Sequence, residues 1–332
     1  MDCISSDFLV ASPDYADTMS SVVLPFLQER ETETVLSAED GTPLYCVTYS
    51  AEKPAASVLV LHGFTENAYK YSELIFSLVR SGYSVVAYDQ RGHGRSGRVS
   101  GLADPSVTHV GHFDDYISDL KLVVDKLLAP LPKPRMIFAH SMGGAVAALF
   151  LEKYPDIFHA AALCAPMIAP NTHGVPAPAA AVLCRCAKVF GRGKHHPFFM
   201  KPWSGPEDFS TSCATDPARF AWYDEIKTAR KEFRNSIPSY SWTLESLAVT
   251  RRILASGAPE KIACPVLLSA ADNDHSVMPD PQKQFISRVP HGRYIFVKDS
   301  RHEIFRSVND VFFPWWHQVL EFFNENLEGE TV

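Results

Sequence analysis

The alternation of short, continuously apolar runs with amphipathic helical stretches restricts this 332-residue chain more than any other feature. The apolar runs fall at residues 44–49, 58–61, 83–88, 136–139, 160–165, 266–269 and 294–297. Runs this short and without alternation suit strands covered on both faces. Between two of them, Phe113, Tyr116, Ile117, Leu120, Val123, Val124, Leu127 and Leu128 are spaced so as to trace one helix face. Strand, helix, strand, helix predicts a doubly wound, mostly parallel α/β sheet of roughly eight strands.

The alternation breaks over residues 166–263, where prolines cluster at 166, 170, 176, 178, 197, 202 and 206 ahead of an aromatic, helical stretch. Three segments are therefore expected: residues 1–165 as the first part of the α/β core, 166–263 as a mainly helical insertion, and 264–332 as the rest of the core. Residues 166–261 carry 13 Lys and Arg against 8 Asp and Glu, a basic lobe of +5 on an acidic body. With a chain total of −7, nucleic acid is not an expected partner.

A hydrophobic fraction of 46% is incompatible with disorder. No apolar stretch approaches the roughly 18 residues that span a bilayer. Residues 1–10 hold Asp2 and Asp7 but no Lys or Arg, unlike a secretory signal. Seven scattered cysteines (3, 46, 164, 184, 186, 213, 264) without C-x-x-C spacing fit reduced thiols in the cytoplasm.

Ala139-His140-Ser141-Met142-Gly143-Gly144 joins an apolar strand to an Ala- and Leu-rich helix. A sharp strand-to-helix turn of this kind lifts a serine hydroxyl clear of a sheet, and small neighbours such as Gly143 make the turn possible. Ala139 stands where the G-x-S-x-G pattern has its first glycine. A plain helix start capped by serine is the competing reading. Earlier in the chain, His62-Gly63-Phe64 follows the strand 58–61, and Gly63 leaves room for a substrate carbonyl. The backbone amides of Phe64 and Met142 would then form an oxyanion hole.

A serine hydroxyl needs a base to take its proton, and the base needs an orienting carboxylate. Asp274, after the strand 266–269, is the expected acid, with Asp272 as the alternative. His302, between the last strand and a C-terminal helix, is the expected base. Loops at the carboxyl ends of strands are where open α/β sheets place their sites. His140 is expected to pack away from the hydroxyl. His195 and His196, with Cys184 and Cys186, match no structural zinc spacing, so no metal and no organic cofactor are expected.

These motifs resemble the serine α/β-hydrolases, in the group containing bacterial lysophospholipase L2 and monoacylglycerol lipase. The resemblance runs from about Glu31 onward. It includes the Asp-x-Arg-Gly-x-Gly-x-Ser turn at Asp89 to Ser96 and the segment His112 to Leu120. Ser96-Gly97-Arg98 and Ser241 to Ser246 look closer to the lysophospholipase branch. The resemblance implies Ser141 as nucleophile, Asp274 as acid, His302 as base, Phe64 and Met142 as oxyanion donors, and residues 166–263 as a cap. Asp89 and Arg91 are expected to hold loops together.

The expected reaction is hydrolysis of the carboxylic ester of a single-chain lipid, most readily a lysophospholipid. Monoacylglycerol lipase or general esterase activity is the alternative within enzymes, and a non-catalytic ligand-binding protein the alternative outside them. Phe190, Phe198, Phe199, Trp203, Phe209, Phe220, Trp222, Phe233 and Trp242 are expected to wall an acyl pocket or form the cap's own core. Arg185, Lys188, Arg192, Lys194 and Lys201 suit peripheral contact with anionic lipid at the inner face of a membrane. Residues 22–27 are expected to pack against the body.

Overall fold

A computed structural model describes residues 5–12, 14–102 and 104–327. Cys3 and Asp2 lie outside the described residues. Eight strands form one sheet: β1 Glu31–Ser37, β2 Pro43–Tyr49, β3 Ala56–Leu61, β4 Tyr83–Tyr88, β5 Arg135–His140, β6 Ala160–Cys164, β7 Val266–Asn273 and β8 Gly292–Arg301. Their order is β1-β2-β4-β3-β5-β6-β7-β8. β2 pairs antiparallel with both β1 and β4, and every other pair is parallel.

The continuous apolar runs follow from burial on two faces. In β3, Leu59 and Leu61 enter one core with helices α2 (Asp114–Val123), α3 (Met142–Lys153) and α7 (Pro279–Ile286). Val58 and Val60 enter the other, with α1 (Ser72–Arg80) and α8 (Asn309–Glu325). Strand β1 escaped the apolar-run reading because it is an edge strand in which no residue is fully buried, and its sequence ETETVLS is mostly polar. The N-terminal helical turns at residues 15–28 pack on the α1/α8 face through Tyr15, Met19, Val23 and Leu27, whereas Val22 is exposed.

Residues 166–263 supply α4 (Ala177–Val189), α5 (Pro217–Ala229) and α6 (Tyr240–Ile253), but no strand of the main sheet. These helices sit differently. α4 buries only Cys184, while α5 sends Trp222 and Tyr223 into the α1/α8 core. Among the described residues, no helix is long and apolar enough to cross a membrane.

Candidate active site

Ser141 occupies the turn between β5 and α3 with φ 50° and ψ −116°. This left-handed backbone is costly for a residue with a Cβ and persists only where its surroundings enforce it. Here the Ser141 N–H donates to the Cys164 carbonyl at 3.1 Å, and the Ser141 carbonyl accepts from Ala145 and Met167. Gly143 is required by contact: a Cβ there would lie 2.5 and 2.6 Å from the carbonyl oxygens of His62 and Leu61. Gly144 faces Pro166 in the same way, at 2.5 Å. Ala139 is fully buried in β5 and fits without a glycine.

The structure brings the three predicted side chains together. His302, just past the end of β8, places Nε2 2.8 Å from Ser141 Oγ and Nδ1 2.7 Å from Asp274 Oδ2. The tautomer that satisfies both bonds carries its proton on Nδ1 and accepts at Nε2. Asp274 follows β7, and its Oδ1 accepts from the backbone N–H groups of Ser276 and Val277 at 2.8 and 3.1 Å. Asp272 is exposed and instead accepts from the Asp299 N–H.

Burial opposes ionisation of the Asp274 carboxyl, but the nearby His302 ring and those backbone donors hold its pKa below the ordinary value. Burial likewise opposes protonation of His302. The charge and hydrogen bond of Asp274, with Glu303 and Glu66 nearby, outweigh it and raise the His302 pKa above 6.5.

Neither the Phe64 amide nor the Met142 amide has a hydrogen-bond partner among the described residues. Both are available to a developing oxyanion. His62 fastens the loop before Phe64: its Nδ1–H donates to the Gly63 carbonyl at 2.7 Å, and its Nε2 accepts the Gln90 N–H at 2.8 Å. Burial lowers the His62 pKa, consistent with this neutral role. Gly63 is confined, since a Cβ there would lie 2.8 Å from both Glu66 Oε2 and His140 Nδ1.

Arg91 and Asp89 hold loops, but not through each other. Arg91 forms a two-pronged bond to Asp119 and reaches Asp40, while Asp89 accepts from the N–H groups of Ala68 and Arg95.

Two expectations change. His140 does not simply pack away: its ring lies 4.8 Å from that of His302 and its nitrogens are 3.1 Å from Glu66 Oε2 and 3.2 Å from the His302 carbonyl. Phe190, Phe198 and Phe199 are 79%, 81% and 64% exposed and wall nothing. Phe220, Trp222 and Phe233 are buried, with Trp222 against Tyr15 and Tyr69 on the α5 side. Of the nine cap aromatics, Trp242 on α6 is the one seen to meet the oxyanion loop, its ring 4.0 Å from that of Phe64. No spacing rule links these residues, so the sequence held no signal for the contact. Among the described residues, no group of three or more His, Cys, Asp or Glu is placed to hold a metal ion, and the six described cysteines are free thiols.

A sequence model of the Hydrolase_4 family, described as serine aminopeptidase S33, matches residues 52–309. The chain belongs to this family. Lysophospholipase L2 of Escherichia coli is 28% identical over 322 residues, spanning 91% of this chain and 89% of the relative. A monoacylglycerol lipase of Mycolicibacterium smegmatis is 31% identical, but over 42% of this chain and 46% of its own. Among solved structures, a soluble variant of monoglyceride lipase from Saccharomyces cerevisiae superposes with a TM-score of 0.71 at 17% identity, covering 90% of this chain and 96% of that one. A thermostable carboxyl esterase from Bacillus coagulans gives the same TM-score at 19% identity, covering 90% and 99%. The Hydrolase_4 chain thus has the α/β-hydrolase fold.

Proposed function

We propose that the protein hydrolyses the carboxylic ester of a single-acyl-chain lipid, most readily a lysophospholipid, through an acyl-enzyme on Ser141. The observation that carries this reading is the continuous hydrogen-bond chain from Ser141 Oγ through His302 to Asp274. As Ser141 Oγ attacks the ester carbonyl carbon, His302 Nε2 takes its proton and the oxyanion settles between the amides of Phe64 and Met142. Collapse expels the alcohol, which takes the proton from His302. Water, deprotonated by the same nitrogen, then releases the fatty acid and restores Ser141.

The similarity to a lysophospholipase and a monoacylglycerol lipase supports a lipid ester over other acyl groups. The headgroup preference is supported by the lysophospholipase aligned over almost all of the chain, whereas the monoacylglycerol lipase aligns over less than half.

Residues 166–263 act as the cap in this reading. The exposed Val182, Val189, Phe190, Phe198 and Phe199 stand among exposed Arg185, Lys188, Arg192 and Lys201. Apolar tips within a basic rim suit the surface of an anionic bilayer, where each cation contributes about 1 kcal/mol. Lys194 is engaged with the Ser100 carbonyl and contributes less. The setting that goes with free thiols is the cytoplasmic face of the membrane.

The test is turnover of lysophospholipid and of monoacylglycerol in vesicles with and without anionic lipid. Lysophospholipid is expected to be the better substrate, and anionic vesicles to raise turnover in a salt-sensitive way. Faster turnover of monoacylglycerol overturns the headgroup assignment, and indifference to vesicle charge overturns the membrane contact.

The pH dependence tests the base separately. His302 must be neutral to accept the proton, and its pKa is raised above 6.5. Activity is therefore expected to rise with pH through a midpoint above 6.5. Asp274→Asn is expected to lower kcat by about 10⁴-fold and to move that midpoint down. An unchanged midpoint would separate Asp274 from the base.

A further inference from the structure

The loop that carries Phe64 also carries a carboxylate with no part in the chemistry described above. Glu66 is 3% exposed, and Lys70 and His140 hold its carboxyl well below the usual carboxylate range against the opposing effect of burial. Four donors converge on it. Oε2 accepts from the Gly63 N–H at 2.7 Å, from the Tyr71 hydroxyl at 2.5 Å and from His140 Nδ1 at 3.1 Å, while Oε1 accepts from Lys70 Nζ at 2.8 Å.

Two routes lead from this carboxylate to His302. Through His140, the first ends on the His302 carbonyl at 3.2 Å. Through Lys70, the second reaches Glu303, the next residue after the base, at 2.5 Å, and Glu303 in turn holds Arg306 at 2.5 Å. A third connection is the bond to Gly63, directly before the oxyanion donor Phe64. The oxyanion loop, the elbow residue before Ser141 and the loop of the base thus meet on one buried group.

We propose that Glu66 is a positioning residue that sets the oxyanion amide and the His302 imidazole relative to Ser141, so that removing its charge slows the chemical step rather than substrate binding. A buried ion network of this sort adds little stability over a well-packed apolar cluster. What it supplies is a fixed direction for each group it bonds, and preorganised donors act on the transition state through that fixity. This inference rests on acyl transfer at Ser141 as read above.

The experiment compares wild type, Glu66→Gln, and the charge-balanced double variant Glu66→Gln with Lys70→Met, each counted by its folded fraction. Glu66→Gln keeps the side-chain shape but is expected to lower kcat about 10- to 100-fold, with KM changing far less. The double variant removes one charge of each sign, so it is expected to recover thermal stability while kcat stays low. Recovery of kcat in the double variant would mean that an uncompensated buried charge, not lost positioning, caused the defect, and would overturn the proposal. Wild-type kcat in folded Glu66→Gln would overturn it as well. The rate of Ser141 labelling by a fluorophosphonate is measured in parallel, and the same loss is expected there. Wild-type protein that labels but hydrolyses neither lipid refutes the substrate reading while leaving this comparison intact.

Discussion

Ser141→Ala is expected to lower ester turnover by about 10⁴-fold or more while leaving the fold in place. His302 Nε2 addresses the Ser141 hydroxyl at 2.8 Å, and no other partner of that nitrogen is present among the described residues. The strained turn does not depend on the hydroxyl, because the bonds that impose it run through the Ser141 backbone to Cys164, Ala145 and Met167. Thermal unfolding of the variant is therefore expected to match wild type, with residual turnover supplied by the oxyanion amides alone. Labelling by a fluorophosphonate is expected to vanish with it. An active, folded Ser141→Ala protein would remove this serine from the mechanism. A wild-type protein that resists labelling would favour a ligand-binding role for the fold.

The largest effect on stability is expected at Arg219, on α5. Its guanidinium is fully buried and bonds Glu73 on α1, Asp216, Asn309 on α8, and the carbonyls of Val10 and Ser307. It also lies 5.0 and 4.8 Å from the rings of Tyr15 and Phe312. Arg219→Met keeps much of the volume but leaves two carboxylates buried without their cation. The expected cost is about 3–5 kcal/mol, on the order of 10 °C in Tm. Adding Glu73→Gln is expected to return part of that loss, because the deficit comes from the orphaned charge. A Tm for Arg219→Met equal to wild type would show that water enters the site and solvates the acids. The N-terminal segment has a structural role here, since its Val10 carbonyl, Tyr15 ring and Ser12 hydroxyl all meet this cluster. α5 is thereby fixed to the body, whereas α4 keeps its apolar face in solvent.

The sequence alone was enough for the elements whose signal is local. Short apolar runs marked the interior strands because both faces of each are buried, and the elbow was visible because a sharp strand-to-helix turn demands Gly143 two residues after Ser141. The order of Ser141, Asp274 and His302 was legible for the same reason, each at the carboxyl end of a recognisable strand. Strand β1 was missed because an edge strand needs little apolar surface, and polar alternation reads as loop.

Other features were decided only by the tertiary structure. The assignment of aromatics to pocket, core or surface could not follow from composition: Phe198 and Phe233 are the same residue type, yet one is 81% exposed and the other 1%. Nor could the convergence of the Glu66 and Lys70 pair with His140 and Glu303, which lie on three separate stretches of the chain. Local periodicity fixes which face of an element is apolar, because side-chain direction repeats within a helix or strand. Which distant charges end up sharing one buried hydrogen-bond network depends on how the loops at the carboxyl ends of the strands meet in space, and no short-range pattern in the chain encodes that.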